Sequence, residues 1–173
     1  TTMSGLDEEK GGDPALDARV RCDMERLKSD GSPRILHVTH QLGGGVEQHI
    51  QDLAEASWDH QRCQSIALRP WGEEAFKIEV IGSPSDFSKT LHMSEVERLV
   101  TELVAAAGIQ RLHFHHYAGL PKWVLTLPEK LKLPYDVTVH DFVTACPQFH
   151  FQDIQGRYCG RPAVEGCNAC IAE

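Results

Sequence analysis

The chain has 173 residues, enough for one domain with a full core and too few for two large ones. Its net charge of -8 and pI near 5.6 weigh against a general attraction to nucleic acid, which is not expected as a partner. No apolar run reaches the roughly 18 residues of a membrane helix and no basic-then-apolar leader opens the chain, so the sequence predicts a soluble, cytoplasmic protein.

Residues 1–32 carry eight acids against five bases and few large apolar side chains. They predict a flexible tail with one short helix near Ala15 to Lys28. From Pro33 the pattern changes. The run "RILHVT" (34–39) predicts a strand, "HQLGGG" a loop, and the spacing of Val46, Ile50, Leu53 and Ala54 a helix that starts at the glycines. "QSIALRP" (64–70) reads as the next strand, and "FKIEVIGS" (76–83) as a further or edge strand.

Ser94 and Glu97 form a capping-box pair ahead of Val96, Leu99, Val100, Leu103 and Val104, the strongest amphipathic helix in the chain, which Gly108 closes. "RLHFHH" (111–116) is the following strand. A helix begins near Pro121 and is kinked or cut at Pro128. "YDVTVHD" (135–141) is the last strand. Strands alternating with helices predict a Rossmann-like α/β domain over 33–141, with a parallel sheet and helices on both faces.

In such a sheet ligands bind outside the carboxyl ends of the strands. The residues leaving those ends are Gly43, Gly44 and Gly45, then His115 and His116, then His140 and Asp141. Glycines let backbone approach a ligand, and the helix behind them offers unpaired N–H groups to a phosphate. A plain strand-to-helix turn accounts for the same glycines equally well, and the loop matches neither a Walker A motif nor a dinucleotide fingerprint. His140 and Asp141 are the catalytic candidates: the carboxylate is placed to orient the ring or to contact substrate hydroxyls. A strand-terminal histidine bonded to backbone is the plainer alternative.

Residues 142–173 form a cysteine-rich extension. Cys146, Cys159, Cys167 and Cys170 give C-x12-C-x7-C-x2-C, and the last pair has the spacing of a metal knuckle. Without an export signal, six cysteines argue for metal ahead of a disulfide framework. Structural zinc is the first expectation and an iron–sulfur cluster the main alternative, with disulfides and uncoordinated thiols behind them. His150 is a substitute ligand. The intervening loop is turn-rich and has too little apolar content for a core of its own, so a metal staple is physically useful.

The series "ILHVTHQLGGGVEQHIQDLAEA", "HFHH", "PYDVTVHDF" and "HDFVTACPQFHFQDIQGRYCGRP" through "CNAC" resembles the N-terminal, acceptor-side domain of a group 1, family 4-like GT-B glycosyltransferase, in a cysteine-bearing subset. The resemblance implies one half of a GT-B architecture and a hexosyltransferase that retains anomeric configuration without an obligatory catalytic metal. It places Gly43 to Gly45 near the phosphates of a nucleotide-sugar donor, and His140 near the transferring sugar and the acceptor hydroxyl. His115 and His116 belong to the same substrate-binding wall. It further implies a glycan or lipid-linked acceptor, polysaccharide biosynthesis at the cytoplasmic face of the membrane, and a C-terminal donor domain that these residues lack. The isolated chain is therefore expected to be inactive. A metal-stapled protein-interaction module without catalysis is the alternative. A second is a nucleotide-binding oxidoreductase, which the missing dinucleotide fingerprint weighs against.

Overall fold

The computed structural model describes residues 14–28, 31–117, 119–142, 145–146 and 148–172. Helix α1 (Pro14–Lys28) is the short helix expected in the N-terminal segment, but it is docked. Met24 is fully buried in the main core, and Asp23 pairs with Lys89 at 2.9 Å. Burying one such side chain contributes about 1.5–3 kcal/mol, enough to hold a marginal helix in place. Buried Arg34 adds a tether: its guanidinium bonds the Leu27 carbonyl at the end of α1 and Gln64 Oε1 at 3.0 Å. The flexible-tail reading therefore does not hold for 14–28, and 1–13 and 29–30 lie outside the described residues.

Six strands form one sheet in the order β4-β3-β2-β1-β5-β6. β1 (Arg34–Val38), β2 (Gln64–Pro70), β5 (Arg111–Phe114) and β6 (Tyr135–Val137) run parallel. β3 (Ala75–Ile81) and β4 (Ser88–His92) extend the β2 edge antiparallel. The all-parallel expectation is thus corrected to a mixed sheet, because a short turn after β2 leaves no room for the crossover a parallel partner needs. β4, "SKTLH", was not expected: Leu91 is its one large apolar residue, so no hydrophobic alternation announces it.

Period-two alternation divides the sheet faces. Leu36, Val38, Ile66, Leu68, Phe76, Ile78, Leu112 and Phe114 point to a core closed by α1, α3 (Met93–Ala107), α4 (Lys122–Leu125) and α5 (Leu127–Leu131). The opposite face carries α2 (Gly45–Gln61), whose Ile50 and Ala54 pack on Ala67 and Ile81. Gly82 follows β3 where α2 crosses, and a Cβ there would stand 2.5 Å from the Ala54 carbonyl carbon.

Local details depart from expectation at three points. The N-cap of α3 is His92, whose ring accepts from the Ser94 amide, so the Ser94 and Glu97 capping box is not formed. Thr126 separates α4 from α5, and Pro128 opens the second helix. The last strand ends at Val137 with all three residues exposed, so His140 and Asp141 lie in the loop beyond it. Among the described residues no helix is long and apolar enough to cross a membrane.

Candidate functional site

The chain passes from β1 to β2 on one side and later places β5 on the other side of β1. This is a topological switch point, where strand-end loops part and leave a crevice. Gly43 and Gly44 lead into it with φ of 69° and 77°. Gly44 caps α2 with ψ at -150°, a conformation other residues rarely adopt, and no side chain caps the helix. In the first turn, Glu47 bonds Arg69 at 2.7 Å and fastens the helix start to β2. The three predicted glycines thus sit together at the rim.

Histidines fill the adjoining space. His37 of β1 and His113 of β5 are register partners on the α2 face. His115 and His116 follow β5, His140 follows β6, and His49 descends from α2. His37 Nδ1 lies 2.9 Å from His115 Nε2, and His37 Nε2 lies 3.1 Å from Ser65 Oγ. The other nitrogen of His115, Nδ1, is 3.4 Å from His140 Nε2. The rings of His113 and His115 stack at 4.1 Å, and His113 Nε2 is 2.8 Å from Thr138 Oγ1.

Burial sets the charge state. Desolvation, then repulsion from neighbouring imidazoles, lowers His37 to about 3 and His115 to about 2. His40, His113 and His140 are also lowered, in each case mainly by burial. A row of neutral imidazoles can each donate one hydrogen bond and accept another, or bind a metal ion through a lone pair.

Several of the predicted residues are brought together. His115, His116, His140 and Asp141 line a common small cavity between the β5 and β6 ends. Asp141 bonds His116 Nε2 at 2.9 Å and acts on the adjacent His140 through its charge, while His140 Nε2 faces His115 Nδ1 at 3.4 Å. Sequence reasoning did not single out His37, His49 and His113. Its available signal was the repeated Leu-His-apolar triplet in 36–38 and 112–114, which adjacent parallel strands can align.

Beyond the rim lies the cysteine segment. Cys146, Cys159, Cys167 and Cys170 line one cavity of about 30 Å³, and none is in a disulfide. Cys167 and Cys170 stand on an unexpected helix, α6 (Val164–Ala172), where a spacing of three places them on one face. Among the described residues, the donor sets drawn within 4.8 Å are His37, His113 and His115, and His49, His115 and His140; no three thiols reach that spacing. The histidine groups can therefore hold a metal ion.

A larger cavity, about 520 Å³, lies beside β6 and is lined by Phe114, Leu125, Leu133, Tyr135 and Val137 among others. It is apolar and has few groups able to direct chemistry, so the rim remains the candidate site. No family model matches the chain, and neither the curated proteins nor the solved structures contain a match.

Proposed function

We propose that the chain is the acceptor-side half of a retaining GT-B glycosyltransferase that moves a hexose from a nucleotide-sugar to a glycan or lipid-linked acceptor. The observation that carries this reading is the meeting, at one switch point, of a glycine-opened helix start with a group of neutral imidazoles. The first suits a diphosphate and the second suits sugar hydroxyls. In this reading Gly44 and Gly45 let the donor phosphates lie against backbone amides. His140, half-buried at the edge of the cavity, hydrogen-bonds the transferring sugar or the acceptor hydroxyl. Asp141 acts at one remove, through His116.

The four cysteines suit a structural metal by donor chemistry and line one cavity, though no three of the thiols stand at ligand spacing, so the metal would draw them together. Zinc or an iron–sulfur cluster bound to Cys146, Cys159, Cys167 and Cys170 would cross-link the wall beside the crevice. Transfer itself takes place at the rim, at the cytoplasmic face of a membrane where the acceptor is made.

The test is nucleoside diphosphate release from a panel of nucleotide-sugars with lipid-linked and soluble glycan acceptors, measured on the chain joined to a donor-binding domain. Turnover is expected there and not from the 173 residues alone. His140→Ala should lower it by about a hundredfold, the scale of losing one positioned hydrogen-bonding group. A second reading, a metal-stapled interaction module, draws on the 520 Å³ apolar cavity at the exposed β6 edge. Protein capture through that face, with no turnover on any donor, would favour it.

A further inference from the structure

The two histidine sets share His115 but differ in what already engages their nitrogens. In the inner set both ring nitrogens of His37 have partners, Ser65 Oγ at 3.1 Å and His115 at 2.9 Å, and His113 Nε2 is taken by Thr138. An ion there would have to displace those bonds beneath α2. In the outer set His49 is exposed on α2, His140 is half-buried, and His115 turns its remaining nitrogen, Nδ1, towards them. The outer set also has a route to solvent.

Distance separates the two cases further. A tetrahedral ion with Zn–N bonds of about 2.0–2.1 Å holds its ligand atoms about 3.3 Å apart. His115 Nδ1 and His140 Nε2 are 3.4 Å apart, long for a hydrogen bond and close to that tetrahedral edge. The 2.9 Å contact between His37 and His115 is an ordinary hydrogen bond.

We propose that His49, His115 and His140 form a site for one zinc-class divalent cation, with a fourth position open to an oxygen ligand from solvent or the crevice. The chain behind His115 supplies the support such ligands require. With Nδ1 on the ion, His115 Nε2–H donates to His37 Nδ1, and His37 Nε2–H donates to Ser65 Oγ. That relay fixes one tautomer for each ring and holds His115 in plane, as outer hydrogen bonds do for metal-bound imidazoles. His49, His115 and His140 come from three separate parts of the chain, so the site exists only when the sheet is assembled. It is distinct from the cysteine cavity. Its existence does not depend on the glycosyl-transfer reading, and an occupied site would engage His140 and so compete with sugar for that ring.

Cobalt(II) is the probe, added to the protein as purified so that the cysteine lobe is undisturbed. The expected result is visible d–d absorption of a tetrahedral nitrogen–oxygen ion, without a new thiolate-to-cobalt band in the near ultraviolet, and displacement by zinc. His49→Ala removes an exposed side chain, leaves the core intact and should weaken this binding by about tenfold or more, as should His140→Ala. His37→Asn, which keeps an acceptor near the Nδ1 position, should bind nearly as well as the parent, whereas His37→Leu should lose about tenfold. Unchanged cobalt affinity in both His49→Ala and His140→Ala, or absorption confined to thiolate bands, would overturn the proposal.

Discussion

At the rim, His37 and His113 stand side by side because β1 and β5 pair in register, and His115 lies between His37, which its Nε2 meets at 2.9 Å, and His140, 3.4 Å from its Nδ1. In the lobe of residues 145–172, the four cysteines hang on turns and one nine-residue helix whose Val164 and Ile171 are exposed. Of the five non-glycine residues with left-handed φ among those described, Phe149, Phe151 and Arg161 fall in or at the edge of this lobe. Such conformations cost about 1–3 kcal/mol each and persist where surrounding structure holds them. The difference is in how donor atoms are gathered: backbone pairing does it for the histidines, whereas in the lobe the proposed metal ion would have to do it for the thiols.

The largest expected effect tests that contrast directly. Chelation, or Cys167→Ser, should abolish amide-exchange protection across 145–172 while leaving the amides of β1, β2 and β5 protected. About one metal per chain should be lost with it. Equal protection of the lobe in metal-free protein would erase the distinction. Next, Leu68→Ala in the fully buried sheet core should cost about 2–5 kcal/mol in chemical denaturation. Ile171→Ala, in the exposed helix, should change it by less than about 0.5 kcal/mol.

Smaller still is the glycine loop. Gly44→Ala meets no neighbour but must adopt φ of 77°, so it should lose about 1–3 kcal/mol. Gly45→Ala, also without a close neighbour and inside the helix, should be neutral or stabilising. The smallest effect is acid sensitivity at the sheet. Burial acts to raise Glu79, but hydrogen bonds from Lys77 and Arg69 outweigh it and leave its carboxyl below the ordinary value of 4.5. Stability from a depressed carboxyl is present above the unfolded pKa and is lost as pH falls through the folded one. Glu79→Gln should therefore flatten the decline in stability below about pH 4.5, read by thermal melts across pH.

The β1, glycine loop and α2 unit was legible because hydrophobic alternation, three consecutive glycines and a helical stripe each speak locally. β2 was legible for the same reason, with both ends where expected. β4 was not, since its placement depends on pairing with β3 rather than on its own side chains. Among the site residues, His115, His116 and His140 could be found from strand ends alone. His37 and His113 lie within strands, and their importance arises from register, a property of two segments that neither announces by itself. The bond from Asp141 to His116 has no sequence signal, because it depends on how the loop beyond β6 turns the carboxylate towards the end of β5.

Gly82 sets how closely α2 approaches the sheet. With a hydrogen where other residues carry a carbon, it lets the α2 backbone at Ala54 rest directly on the turn after β3, without an intervening side chain. His49 lies on the same helix, little more than one turn towards its start, and the glycine loop lies one turn beyond that. The height of the helix above the sheet, and with it the reach of His49 to His115 and His140, is thus gauged by a missing methyl group at the end of β3.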